Sequence, residues 1–252
     1  MKKVAVELSN VSINYDAARD NPVVANINLK IEAGSFSTII GKSGSGKSSI
    51  LHAIAGLVPA STGSIRHKNI NVLGPSTSRS VIFQDLSIFP WLNVSENIAL
   101  PLKLQRLSSD EIVNHVNTWL DRFGLRDAEK SSIDTLSGGM KQRVALARAF
   151  VSNGDILLLD EPFNGLDPLL KEKLYTDLLS ACENSGKTIV LVTHDIEEAI
   201  FLSDCVYLLG LKSKQIDSVF KVEFQRPRNL GIRKNNEFVR RRFKIHDELM
   251  LS

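Results

Sequence analysis

The chain lacks the features that would place it in a membrane, outside a cell or in a fibre. No long apolar run occurs in its 252 residues. Runs such as Ile189–Val192 fall far below the ~18 residues needed to span a bilayer. The opening MKKVAVELSN carries two lysines but no apolar stretch after them, so it is not expected to act as a secretory signal. Cysteine is scarce. Cys182 and Cys205 sit in apolar surroundings without ligand spacing, and they are expected to be reduced core thiols of a cytoplasmic protein. Repeats, low-complexity segments and heptad runs are missing, which excludes a solenoid or a coiled coil. Net charge is only +3, which argues neither for nor against nucleic acid. That charge is uneven: residues 211–252 hold 11 Lys+Arg and 5 Asp+Glu, against 20 and 23 in the remainder.

What is present is ordinary globular composition, 43% hydrophobic and 23% charged, and enough length for one large domain or two lobes sharing a core. Residues 4–8, 11–13 and 27–31 alternate like half-exposed strands, and Phe36 to Ile40 reads as a buried strand. A Gly-rich segment leads from it into a helix over Ser48 to Leu57, which Gly56 can close. The middle of the chain is helical. Ser108 and Glu111 have capping-box spacing before an apolar period that runs to Gly124, and a second helix spans about Gly139 to Val151. Ile156–Leu159 and Thr188–Val192 then read as strands separated by a helix over Leu169 to Ala181. Strands apolar throughout, alternating with a helix, indicate a parallel sheet covered on both faces. The expected class is α/β, with a helical insertion over about 85–152.

Gly41-Lys42-Ser43-Gly44-Ser45-Gly46-Lys47-Ser48, followed by Ser49, fits the phosphate-loop pattern between a strand and a helix. Glycines let backbone N–H groups turn inward around phosphates, and a helix N-terminus adds positive potential. Lys47 is the candidate for the β- and γ-phosphates and Ser48 for Mg²⁺. Asp160 ends an apolar strand, where ligands bind in open α/β sheets, and is suited to hold Mg²⁺ directly or through water. Glu161 follows as the candidate general base. Two acids ending a strand at the surface is the plainer alternative. His194 ends the next strand and is a candidate γ-phosphate contact. Gln84, after Val81-Ile82-Phe83, is a candidate for Mg²⁺ or the attacking water. Ser137-Gly138-Gly139 opens a helix and forms a second backbone anion site, which a single phosphate loop leaves unexplained.

Taken in order, these segments resemble the nucleotide-binding subunits of ABC transporters over nearly the whole chain. Leu136-Ser137-Gly138-Gly139-Met140 matches their LSGGQ-like signature, with Met140 where glutamine is commoner. The resemblance implies that Tyr15 stacks on adenine, that residues 165–167 form the D-loop, and that Gln84, Asp160, Glu161 and His194 act as above on ATP and Mg²⁺. It implies a P-loop NTPase core with a RecA-like, mainly parallel sheet and an N-terminal antiparallel β subdomain. The ATPase domain then covers 1–210, with the basic 211–252 tail packed on it. It also implies a sandwich homodimer, in which one subunit's signature closes over ATP on the other's phosphate loop.

Residues 89–98, 136–148, 160–163, 192–199 and 225–228 look like the nitrate, sulfonate and taurine importer branch. That branch implies integral membrane permease subunits, an extracytoplasmic solute-binding protein reached indirectly, and a peripheral place at the cytoplasmic face of the cell membrane. Asn164-Gly165, where Gly-Ala is common, and Cys205, where arginine is common, depart from the branch at positions not expected to touch the chemistry. A soluble ABC ATPase acting on nucleic acid or ribosomes is the alternative. Such proteins carry coiled-coil insertions or paired cassettes, so no nucleic-acid partner is expected. Arg240-Arg241-Arg242 reads either as a patch for anionic lipid or nucleic acid, or as the solvated face of a terminal helix that packs Phe238, Val239, Ile245 and Leu249 inward.

Overall fold

The computed structural model describes residues 3–16 and 21–252. Two sheets form its frame. The first holds the antiparallel strands β1 (Val4–Ile13), β2 (Val24–Glu32), β4 (Thr62–His67) and β5 (Ile70–Asn71) in the order β2-β1-β4-β5. The second runs β10-β9-β3-β8-β7-β6 through β3 (Phe36–Ile40), β6 (Arg79–Ile82), β7 (Ile156–Asp160), β8 (Thr188–Thr193), β9 (Cys205–Leu209) and β10 (Ile216–Lys221). It is parallel except for the β9–β10 hairpin.

The continuous apolar runs of the second sheet are explained by what covers it. Leu157, Leu159, Ile189, Leu191, Val206 and Leu208 face the larger hydrophobic core, with the helices of the insertion and the C-terminal segment. Their neighbours Ile156, Leu158, Val190, Val192, Tyr207 and Leu209 face the other core, shared with the first sheet and with α1 (Lys47–Ala55). Strand side chains alternate between faces, so a strand buried on both sides must be apolar at every position.

Between β6 and β7 the chain builds α2 (Val94–Leu104), α3 (Ser109–Arg122) and α4 (Gly138–Val151). Trp119, Phe123 and Phe150 stack together there, joining α3 to α4. After β7 come α5 (Pro168–Ser185), α6 (Ile196–Leu202) and, past β10, α7 (Asn236–Leu251). The helix expected to stop at Ala181 continues to Ser185, because its last polar turn stays helical until Gly186 takes a φ of 63°. The helix after the phosphate loop stops at Ala55, where Gly56 turns left-handed.

Six of these seven helices open on a side-chain cap: Asn93, Ser108, Ser137, Asp167, Asp195 and Asn235. Each such cap contributes about 1 kcal/mol. Helix α1 opens on Gly46 with no side-chain cap, so its first-turn N–H groups are left for another acceptor.

The C-terminal segment lies on the same body. Phe238 and Ile245 are buried in the larger core, while Val239 and Leu249 are half-buried. Arg228 is buried and donates to the carbonyls of Phe201 (2.9 Å) and Ser203 (2.8 Å). Arg241 pairs with Glu237 at 2.9 Å and Arg242 with Glu197 at 2.7 Å. All three arginines of the run therefore have an acidic neighbour, although Arg240, 3.4 Å from Glu237, is largely exposed.

Candidate functional site

The order of the parallel strands decides which loops meet. Strands β3, β8, β7 and β6 are successive neighbours. Their C-terminal ends therefore line up the 41–48 loop, His194, Asp160 with Glu161, and Gln84 along one edge. The pairing of Asp160 with Val192 sets Glu161 beside His194, and the pairing of Ile82 with Leu159 brings Gln84 to the same edge.

The loop's glycines answer to local geometry. Gly46 has a φ of 99°, and a Cβ there would lie 2.5 Å from Val24 Cγ1. At Gly41 a Cβ would meet the Leu209 carbonyl oxygen at 2.6 Å. Ser43 and Gly44 are exposed at the tip, while Ser45 is buried with a hydroxyl that has no hydrogen-bond partner among the described residues. Lys47 is also buried. Its ammonium donates to the carbonyls of Gly41 and Lys42, each at 3.0 Å. Burial pushes the Lys47 pKa down, against the pull of the Glu161 and Asp160 carboxylates. Lys42 turns its own side chain away, donating to the Met250 and Ser252 carbonyls near the end of α7.

Ser48 Oγ donates to Asp160 Oδ1 at 2.8 Å, and His52 Nε2 lies 3.4 Å from Asp160 Oδ2. Glu161 has a φ of 45°, a left-handed conformation that costs a non-glycine residue about 1–2 kcal/mol. Its N–H continues the ladder onto the Val192 carbonyl at 2.9 Å, which holds it there. The side chain then reaches His194, with Oε2 3.2 Å from Nδ1.

Asn164 requires a correction to the sequence reading, which set it apart from the chemistry. Its Nδ2 donates to Glu161 Oε2 at 3.3 Å, because the turn closed by the Asn164 N–H on the Glu161 carbonyl folds residue 164 back over the carboxylate. Cys205 is half-buried in β9 and distant in the sheet from this loop.

Tyr15 follows β1. Its ring is 59% exposed, and its hydroxyl donates to Ser49 Oγ at 3.0 Å in the first turn of α1. Gln84 is exposed. Ser137, Gly138 and Gly139 stand elsewhere. Ser137 Oγ caps α4 by accepting from the Met140 N–H at 3.3 Å, and the two glycines face Leu166 and Leu170. Among the described residues no hydrogen bond joins them to the 41–49 loop.

Several contributors carry no signal in sequence spacing. Thr193 Oγ1 accepts from the Asp195 N–H at 3.1 Å and donates to Glu198 Oε2 at 3.0 Å, closing the turn that presents His194. Burial pushes the Glu198 carboxyl up to about 8. A groove of about 320 Å³ lies where α2 and α4 meet β6, lined by Phe89, Leu100, Leu104, Ala145 and Arg148 among others. Trp91 stands beside it, 76% exposed, its ring 5.3 Å from Phe89.

The residues present fit a nucleotide with a hard divalent cation. The uncapped start of α1, the unpartnered Ser45 hydroxyl and the buried Lys47 ammonium together form a receptor for phosphate oxygens. Ser48 and Asp160 supply the all-oxygen donors that Mg²⁺ prefers. Among the described residues no cluster of three or more His, Cys, Asp or Glu could hold a metal of another kind.

Comparison with known proteins gives concordant results. The profile of the family described as ABC transporter matches residues 24–164. The chain is 39% identical over 205 residues to the taurine import ATP-binding protein TauB of Escherichia coli (strain K12), covering 81% of this chain and 79% of that protein. It is 38% identical over 251 residues to the nitrate import ATP-binding protein NrtD of Synechocystis sp., covering 97% and 93%. Among solved structures, it is similar to the dimeric post-hydrolysis state of the ATP-binding cassette MJ0796 bound to ADP and Pi. That match has a TM-score of 0.76 and 31% identity, covering 87% of this chain and all of that one. It is also similar to cbiO1 of Clostridium perfringens, part of the transporter complex cbiONQ, with a TM-score of 0.81 and 25% identity, covering 95% and 94%.

Proposed function

The chain belongs to the ABC transporter family, and from that premise we propose that it is the ATP-hydrolysing subunit of an importer for a small solute such as a sulfonate, taurine or nitrate. Two copies work as a sandwich on integral membrane subunits, at the cytoplasmic face of the membrane, with a solute-binding protein on the far side. Among the described residues no helix is long and apolar enough to cross a membrane. The observation that carries the reading is the single sheet edge holding Lys47, Ser48, Asp160, Glu161 and His194 around an uncapped helix start.

The chain's residues divide the work. Backbone N–H groups of the 41–48 loop and the Lys47 ammonium bind the phosphates, and the exposed Tyr15 ring takes the adenine by stacking. Ser48 and Asp160 hold Mg²⁺, with Gln84 as a further ligand. When bound, the ion neutralises phosphate charge in the transition state. Glu161 accepts the proton of the attacking water. His194, held by the Thr193–Asp195–Glu198 network, orients the Glu161 carboxylate and faces the γ-phosphate. Ser137, Gly138 and Gly139 of the second copy supply the N–H groups that close the site from the opposite side. The groove beside Phe89 receives a short segment of the membrane subunit. Its apolar wall and exposed aromatic neighbour Trp91 support that use.

Purification of the tagged chain from its native membrane tests this reading. The expected result is an ATPase that carries a multi-span partner and is stimulated by solute-loaded binding protein. Copurification with ribosomes or nucleic acid, and no multi-span partner, contradicts it.

A further inference from the structure

We propose that Lys42 is a positioning residue through which α7, the C-terminal helix, holds the phosphate loop in the shape that binds ATP. The inference rests on the reading above, in which the 41–48 loop takes the phosphates of ATP.

The loop is braced at both ends and open at its tip. Gly41 packs against the end of β9, where a Cβ would meet the Leu209 carbonyl oxygen, and Gly46 packs against Val23 and Val24. Between them Ser43 and Gly44 are exposed, and the Ser45 hydroxyl has no hydrogen-bond partner among the described residues. The Lys42 peptide is the hub of this stretch. Its carbonyl accepts from the Ser45 N–H at 3.2 Å and from the Lys47 ammonium at 3.0 Å. Where that carbonyl stands therefore sets how two of the loop's donors are presented. Among the described residues, Lys42 is also the one residue of 41–46 whose side chain bonds outside the loop.

Its partner is the end of α7, 208 residues on in the chain. The helix is a fixed point. Phe238 and Ile245 are buried in the larger core, Arg242 pairs with Glu197 at 2.7 Å, and Glu248 accepts from the Ser218 hydroxyl of β10. A helix ends with four carbonyls that have no partner within it. Here the Glu248 carbonyl accepts from the Ser252 N–H at 3.1 Å, and the Leu249 carbonyl from the Ser252 hydroxyl at 3.0 Å. The Met250 and Ser252 carbonyls accept from Lys42 Nζ, at 3.3 Å and 2.8 Å. The ammonium thus caps α7 from a distant part of the chain, at the end of the helix dipole that favours a cation. Tied there, it points away from the phosphates. Lys42 therefore acts on ATP through its backbone and not as a ligand.

Equilibrium binding of fluorescent ATP with Mg²⁺ tests the tie. Lys42→Met keeps the stem and removes the donor. A chain ended at Glu248 keeps Lys42 and the Ser218 contact but removes both acceptor carbonyls. Each should weaken binding by about fivefold or more. The combined variant should bind no more weakly than the weaker single one, and multiplying losses overturn the proposal. Lys42→Arg, which can donate to the same carbonyls, should restore affinity to within about twofold of wild type. The shortened chain should keep its kcat at saturating MgATP, so that its loss falls on KM. If Lys42 served the phosphates directly, shortening α7 would release it toward them. Affinity in the shortened chain equal to or tighter than wild type therefore overturns the proposal. Absence of MgATP binding by the wild type would overturn the nucleotide reading itself, and the proposal with it. Linkage supplies a second measurement, which stands even if the shortened chain loses its cooperative melt. If the end of α7 raises affinity for ATP, bound ATP must steady the end of α7 by the same factor. MgATP should slow hydrogen exchange at amides 248–251 by about fivefold in the wild type and leave it unchanged in Lys42→Met. Equal exchange with and without MgATP in the wild type overturns the proposal.

Discussion

Replacing Glu161 by glutamine changes one oxygen to an amide nitrogen in a side chain whose neighbours are defined. Oε2 lies 3.2 Å from His194 Nδ1 and 3.3 Å from Asn164 Nδ2, and the side chain is 20% exposed. Glutamine has the same shape and can keep one of these contacts through its own oxygen. The groups that would hold the nucleotide are others: the Lys47 ammonium, now on the loop carbonyls, and the Ser48 hydroxyl, now on Asp160. Binding should therefore survive, and it should tighten slightly, because an anion is removed from beside the phosphates. What is lost is proton acceptance. General-base catalysis contributes about 10²–10⁴-fold, which is ~3–5 kcal/mol of activation free energy. The assay is single-turnover phosphate release beside equilibrium binding of fluorescent ATP, with size-exclusion chromatography to detect the closed dimer. A fall in the rate of about 10²-fold or more, at equal or tighter affinity and with dimer accumulating, is the expected result. Turnover close to wild type would refute Glu161 as the base.

Tyr15→Ala should weaken ATP binding with little effect on phosphate chemistry, while Tyr15→Phe should preserve affinity, since the ring face and not the hydroxyl bond to Ser49 does the stacking. Equal affinity in Tyr15→Ala and wild type by titration would make the residue a strand-end tyrosine and nothing more. Trp91→Ala should keep a cooperative melt, because Trp91 is 76% exposed, yet lose stimulation of the ATPase by the assembled transporter. A lost melt would show that the ring supports the fold. Gly46→Ala forces a Cβ to within 2.5 Å of Val24 at a φ of 99°. It should cost about 1–3 kcal/mol in chemical denaturation and abolish nucleotide binding, and an unchanged midpoint would contradict the strain argument.

The parts of this molecule legible in its sequence are those specified locally. The 41–48 loop, the capping box at Ser108 and Glu111, and the apolar runs ending at Asp160 and near His194 each depend on residues within a few positions of one another. The α/β class followed from those runs, and the two-faced burial of β7 and β8 explains why they lack polar alternation. The half-exposed strands β1 and β2 were legible from their alternation, but two other strands were not. Ile70–Asn71 is two residues long, and Ile216–Lys221 alternates too weakly in hydrophobicity to stand out. Nor were contacts set by strand order, such as His52 near Asp160 or Arg148 at Leu86, which join residues far apart in the chain. Asn164 shows the limit most plainly. It reads as a family variation, yet the left-handed backbone of Glu161 places its amide on the carboxylate.

The central claim is that each catalytic centre is shared, with the Lys47 side of one copy closed by the Ser137 side of the other. Nucleotide occlusion in mixed dimers tests it most directly. Lys47→Ala removes the ammonium at the phosphates, and Ser137→Arg places a bulky side chain at the start of α4. Neither variant should trap labelled ATP alone. In a heterodimer of the two, shared sites place both lesions in one centre and leave the other with an intact loop facing an intact signature. The account predicts that the mixture regains occlusion at one centre per dimer. If each site lay within one subunit, every centre would carry a lesion, so absence of trapping in heterodimers shown to form would contradict the account.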